Sequence, residues 1–245
     1  TITNNKDVTS LLSDATPIIS FCGPFNAGNS FAIRRILDVD MKCTSHQPSL
    51  RMALFGDDSN PNALSYAALD MKGHSIVPEV KKIVRSESAE TTLKRRMQLA
   101  HFLQELSFDI AAAFVVVVEV SDALSAVDQY FILDLEKKIR MWNKYPQLLV
   151  VYNYVAAKND QGIKRKHTET MQRFDKAVSV SSRALWETNN GVRTFHVAVG
   201  ERVPESSTLL NFCRQKIDEM VFACRSGTTA TIFDNIADAS ERILN

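Results

Sequence analysis

The chain has 245 residues, 45% of them hydrophobic and 23% charged, with a formal net charge of +1. That is ample apolar content for one sizeable core, and eight glycines and seven prolines exclude a collagenous or low-complexity chain. The near-neutral balance removes any bulk attraction to nucleic acid or to an anionic membrane.

Cys22, Cys43, Cys213 and Cys224 form no CxxC and read as reduced thiols. The opening TITNNKDVTSLLSD lacks the basic-then-apolar pattern of a signal peptide, so the expectation is an intracellular protein. The longest apolar run, Ile110 to Val118, is too short to span a membrane. No linker or repeat divides the chain, which reads as one domain over 1–245 with residues 1–14 as an N-terminal extension.

In chain order, TPIISFC (16–22) is a buried strand ending at Gly23. The loop GPFNAGNS follows, then FAIRRILD, which sets Phe31, Ile33, Ile36 and Leu37 near one helical face. Residues 49–55 and 63–70 predict an antiparallel hairpin around the turn GDDSNPN, whose Asp57 and Asp58 are explained by turn chemistry. A short helix is expected over 77–84 and a long one over 88–108. IAAAFVVVVEV (110–120), with its four consecutive valines, predicts a central parallel strand. Ser121 and Asp122 offer an N-cap for a helix running to about Asn143, and LLVVYN (148–153) is another buried strand. Residues 158–166 read as a basic loop, 168–179 as a helix and 192–199 as a strand; helices over 207–223 and 231–244 close the chain. Strands alternating with helices predict an α/β fold, with a mainly parallel central sheet, helices on both faces and one antiparallel edge hairpin.

Three segments carry chemistry. Gly23 to Ser30 has the frame Gly-x4-Gly-x-Ser, between a strand and a helix. A phosphate-binding loop has Gly-x4-Gly-Lys-Ser/Thr: its backbone N–H groups and the helix N-terminus cradle phosphates, its lysine neutralises them, and its hydroxyl ligates Mg²⁺. Here Asn29 stands at the lysine position. Asp70-Met71-Lys72-Gly73 is an Asp-x-x-Gly at a strand end. Val150-Val151-Tyr152-Asn153 ends the strand after the valine strand, where a nucleotide base would lie.

ISFCGPFNAGNSFAIRRIL resembles the FNxGKS loop of dynamin- and guanylate-binding-like large GTPases and related protist G proteins. LLVVYNY is similar to the segment that stands in for their base motif. FHVAVGERVPESSTLLNFCRQKIDEMV is similar to their last strand, base-side loop and closing helix. The resemblance implies a P-loop NTPase-like G domain binding GTP or GDP with Mg²⁺, often pairing with another G domain. It implies a phosphate loop of Gly23, Asn26, Gly28, Asn29, Ser30 and Phe31, switch residues Asp70 and Gly73, a base-side Asn153, and Mg²⁺ on Ser30 and Asp70.

The departures are functional. Asparagine donates a hydrogen bond but cannot supply the lysine's charge, whose loss costs several kcal/mol at a polyphosphate. No switch threonine stands out, Thr44 and Ser49 lacking a persuasive context, and the base-reading Asp is missing. The expectation is therefore a pseudo-GTPase without catalytic residues, an interaction or architectural subunit of a larger assembly. The alternatives are a divergent active GTPase using Mg²⁺, and a structural nucleotide binder without turnover. His46, His74, His101, His167 and His196 show no metal-ligand spacing. Lys94-Arg95-Arg96 and Lys164-Arg165-Lys166 are basic clusters suited to an acidic protein partner or to RNA, although no interleaved aromatic residues support RNA.

Overall fold

A computed structural model describes residues 17–24, 27–38, 50–55, 66–71, 87–121, 123–142, 147–155, 159–174, 176–181, 185–200, 208–224 and 241. The strands are β1 (Ile18–Cys22), β2 (Leu50–Phe55), β3 (Tyr66–Met71), β4 (Ala113–Glu119), β5 (Gln147–Asn153), β6 (Val178–Ser181), β7 (Leu185–Asn189) and β8 (Arg193–Val199). The helices are α1 (Asn29–Leu37), α2 (Glu87–Ile110), α3 (Ala126–Met141), α4 (Asp160–Met171) and α5 (Thr208–Cys224).

All eight strands form one sheet, in the order β2-β3-β1-β4-β5-β8-β7-β6. The five central strands, β3 through β8, run parallel. β2 is antiparallel to β3, as the expected hairpin requires. β7 and β6 add a second antiparallel edge.

The valine strand sits at the centre because alternate residues must be buried on opposite faces. Val115 and Val117 pack with Ile33 and Ile36 of α1 and Ile217 and Met220 of α5. Val116 and Val118 pack on the other face with Phe108 of α2, Ile132 and Ile139 of α3, and Ile163 of α4. Helices therefore cover both faces, as the strand–helix alternation predicts.

Three boundaries differ from the sequence expectation. The N-cap of α3 is Ser125, whose Oγ accepts from Asp128 N at 3.1 Å and donates to Asp128 Oδ2 at 2.7 Å, rather than Ser121 or Asp122. Residues 160–166 are helical rather than a loop. Asn159 caps α4 by accepting from Gly162 N at 2.8 Å, and Ile163, His167, Thr170 and Met171 then bury one helical face. The helix expected over 168–179 ends at Met171; Lys176 has φ 61, and β6 follows. The expected helices over 77–84 and 231–244 lie outside the described residues, apart from residue 241, which is helical.

A polar network threads the core between β5, β8 and α4. His196 is fully buried, its Nδ1 3.0 Å from the Tyr152 hydroxyl and its Nε2 2.9 Å from Thr188 Oγ1. The Tyr154 hydroxyl lies 3.1 Å from both His167 Nδ1 and Thr170 Oγ1. These histidines are hydrogen-bonded core residues, and burial lowers His167 to about 4 and His196 to about 3.

The unfolded chain protonates both near 6.5 while the folded chain stays neutral, so their stabilisation is complete above 6.5 and is lost as pH falls toward 4 and 3. Between those limits each histidine contributes a loss of about 1.4 kcal/mol per pH unit. Burial raises the Glu136 and Asp218 carboxyls, which act in the opposite direction. Urea unfolding at a series of pH values should show a shallower acid decline for His167→Gln than for the native chain, with the carboxyl contributions unchanged.

Candidate functional site

β1 lies between β3 and β4, so the chain leaves it first toward β2 and β3 and later toward β4. The carboxyl end of β1 is therefore the switch point of the sheet, where open α/β folds place ligands. The turn from β1 to α1 occupies it.

Two glycines make that turn feasible. A Cβ on Gly23 would meet Val117 O at 2.1 Å, so the loop can rest on β4 only with glycine there. Gly28 has φ 88 and precedes the first turn of α1, where Ala32 N donates to Gly28 O at 2.8 Å. Between them Ala27 N donates to Pro24 O at 3.1 Å. The other end of α1 is held by α5: the Arg214 guanidinium donates from Nε to Ile36 O, and from a terminal nitrogen to Arg35 O at 3.4 Å. A cation thus meets carbonyls that α1 itself leaves unpaired.

Ser30, in the first turn of α1, donates from Oγ to Asp70 Oδ2 at 2.6 Å. Asp70 is buried, near the end of β3. Parallel pairing of β1 with β3, with Phe21 opposite Asp70, delivers that carboxylate to the loop. Two residues 40 apart in sequence are thereby joined, in the relation that a P-loop hydroxyl and its acidic strand-end partner require. The fold is an open α/β sheet with a strand–loop–helix turn at its switch point.

Asn29 is 7% exposed, and its Nδ2 donates to Met71 O at 2.8 Å. Its Oδ1 has no hydrogen-bond partner and lies 2.9 Å from where a Cβ on Gly23 would stand. Asn153 is 2% exposed, at the end of β5. Its Nδ2 lies 3.2 Å from where a Cβ on Gly28 would stand, and its Oδ1 is also without a partner. The side chain of Asn153 is thus packed under the phosphate loop. Phe31 is half-buried beside Gly28. Asn26 and Gly73 lie outside the described residues.

Ser30 and Asp70 offer hard oxygen ligands of the kind Mg²⁺ takes, and would hold it. The residues fit a polyphosphate poorly. Asn29 carries no charge, its amide N–H₂ is engaged by Met71 O, and its buried amide oxygen lies close to the loop backbone at Gly23. Such oxygens need donors, and phosphate oxygens are acceptors.

Cys22 and Cys213 are buried thiols pushed up to about 12 by burial, which makes them poor nucleophiles. Arg34 is exposed and Arg35 half-buried on α1. Lys164, Arg165 and Lys166 lie on α4, where Lys166 Nζ donates to Ser121 O at 3.1 Å. Among the described residues no cluster of three His, Cys, Asp or Glu side chains converges on a metal position, and no helix is long and apolar enough to cross a membrane. Sequence reasoning missed the Asn29–Met71 tie, which only the β1–β3 pairing creates.

No protein-family model and no curated protein matches the chain. Among solved structures it is similar to Roco2 RocCORdC of Methanosarcina barkeri bound to GDP, at 9% identity and TM-score 0.43, over 85% of this chain and 49% of that one. It is also similar to a GTP-binding protein of the hyperthermophilic archaeon Sulfolobus solfataricus in complex with GDP, at 10% identity and TM-score 0.44, over 89% of this chain and 55% of that one. A mutation variant of SsGBP matches at 9% identity and TM-score 0.43, over 89% and 59%. The chain spans 49% to 59% of the length of these structures.

The two loop positions should respond differently to truncation and growth. Asn29→Ala removes one hydrogen bond and leaves Met71 O to find another donor, costing about 1–3 kcal/mol. Gly23→Ala drives a methyl into backbone that cannot move aside and should cost more, about 3 kcal/mol or above. Chemical denaturation of both variants checks the order.

Proposed function

We propose that this chain is a catalytically degenerate G domain, a pseudo-GTPase that serves as an interaction or architectural subunit of a larger intracellular assembly. The observation that carries the reading is Asn29. The residue that would neutralise the β- and γ-phosphates is a neutral amide, and its donor is engaged by Met71 O. In a site shielded from water, a missing cation weakens both polyphosphate binding and stabilisation of the transferring phosphoryl group. The G domain is kept as a scaffold: one sheet, helices on both faces and a closed loop. Its partners are other proteins, another G domain among them. Reduced, buried thiols support the intracellular setting.

The retained Ser30–Asp70 pair favours a second reading, a divergent GTPase in which these two hold Mg²⁺ and the backbones of Gly23, Gly28 and Phe31 meet phosphate. In both readings Asn153 supports the loop from below.

Calorimetric and thermal-shift titration with GTP, GDP and ATP, with and without Mg²⁺, separates them. The expected result is no binding by the native chain. Asn29→Lys should gain Mg²⁺-dependent binding of about tenfold or more, since several kcal/mol of charge interaction is restored. Tight Mg²⁺-dependent GTP binding by the native chain would overturn the pseudo-GTPase reading, and turnover would establish the second.

A further inference from the structure

The outer face of α3 is apolar where a solvent-facing helix should be polar. Half of the large hydrophobic residues that stand exposed among the described residues belong to this helix or its C-cap: Val127, Tyr130, Leu133, Met141 and Trp142. Val127 and Tyr130 are 72% exposed and Met141 is 70% exposed. The core requirement of α3 is already met on its opposite side, where Ile132, Leu135 and Ile139 are buried against the sheet. Val127, Tyr130, Asp134, Lys137 and Met141 follow the alternating three-and-four spacing that aligns residues along one helical stripe. Among the described residues this second stripe has no partner element, which is the signature of a docking face.

The charges on the stripe indicate what covers it. Asp134 and Lys137 stand at its middle, one acid and one base. Asp134 also lies 3.4 Å from Lys138, one turn along the same helix. A two-fold axis passing between Leu135 and Glu136 lays two such helices antiparallel. Asp134 then falls opposite the partner's Lys137, and Tyr130 opposite the partner's Met141. Each contact is made twice, as a two-fold interface requires. Aromatic–thioether contacts, a favourable pairing in their own right, would flank the central ion pairs. A parallel arrangement would instead set Asp134 against the partner's Asp134. A strongly acidic or basic partner would leave one of the two central charges opposed by its own sign.

We propose that α3 is a self-association face, and that two copies of the chain pair through an antiparallel α3–α3 contact. The contact uses neither Ser30 nor Asp70 and does not rest on the pseudo-GTPase reading. Sedimentation velocity on the full chain, over a wide concentration range and without nucleotide, tests it. The native chain should show a concentration-dependent monomer–dimer equilibrium. Tyr130→Glu should raise the dimer dissociation constant about tenfold or more, as expected for the loss of a large aromatic contact made twice. Asp134→Lys and Lys137→Asp should each weaken the dimer, and the double variant should regain it, because the exchange restores the cross-pair. Circular dichroism and unfolding midpoints of the variants should match the native chain, which separates loss of association from loss of fold. A native chain that stays monomeric throughout would overturn the proposal. So would a dimer indifferent to Tyr130→Glu, or a double charge variant that stays as weak as the single ones.

Discussion

The close approach of Gly23 to the carbonyl of Val117 governs the site. It brings the turn after β1 down onto the end of the central strand, so the start of α1 is set by the sheet rather than by the loop's own preferences. Once the loop lies there, Ser30 meets Asp70, Asn29 meets Met71 O, and the side chain of Asn153 is enclosed below Gly28. A larger residue at Gly23 would lift the loop from β4 and disturb all three relations. Backbone contact thus helps assemble a polar constellation from α1, β3 and β5.

Among the described residues that constellation holds a carboxylate, Asp70, and no cationic side chain. A P-loop combines partial positive charge from backbone N–H groups with the full charge of a lysine. In this chain an amide, Asn29, stands at the lysine position. The exchange turns a residue that would reach a ligand into one that braces the protein, since Asn29 links α1 to the end of β3. Stability and polyphosphate affinity are in competition at this position. The two unpartnered amide oxygens are the residual electrostatic cost of that arrangement.

Much of the sheet was legible in the sequence because burial on two faces leaves an unmistakable run of β-branched residues, as in the valines of β4 and in LLVVYN of β5. The strand–glycine–helix order likewise located the turn between β1 and α1. The errors arose where tertiary contacts override local pattern. KNDQGIKRK looks like a loop by charge and glycine content, yet Asn159 caps it, and Ile163 and His167 pay for a helix by burying one face. β6 and β7 gave little signal because Val178 and Val180 are exposed, so no inward alternation marks the edge. Within the site, Asn29 and Asn153 were recognisable as positions. Their hydrogen-bonding states were not, because these depend on strand register and on how low the loop sits.

Arg214 adds a mechanical property to this architecture. By binding the terminal carbonyls of α1, it couples a helix of nine residues, roughly 13 Å long, to the much longer α5 on the same face of the sheet. The loop end of α1 is anchored through Asn29 and the far end through Arg214, so α1 behaves as a strut fixed at both ends. A push at the loop is transmitted along the strut to α5 rather than dissipated in a hinge. The outward surface of α5 is therefore where strain at the old phosphate site would be felt by a neighbour.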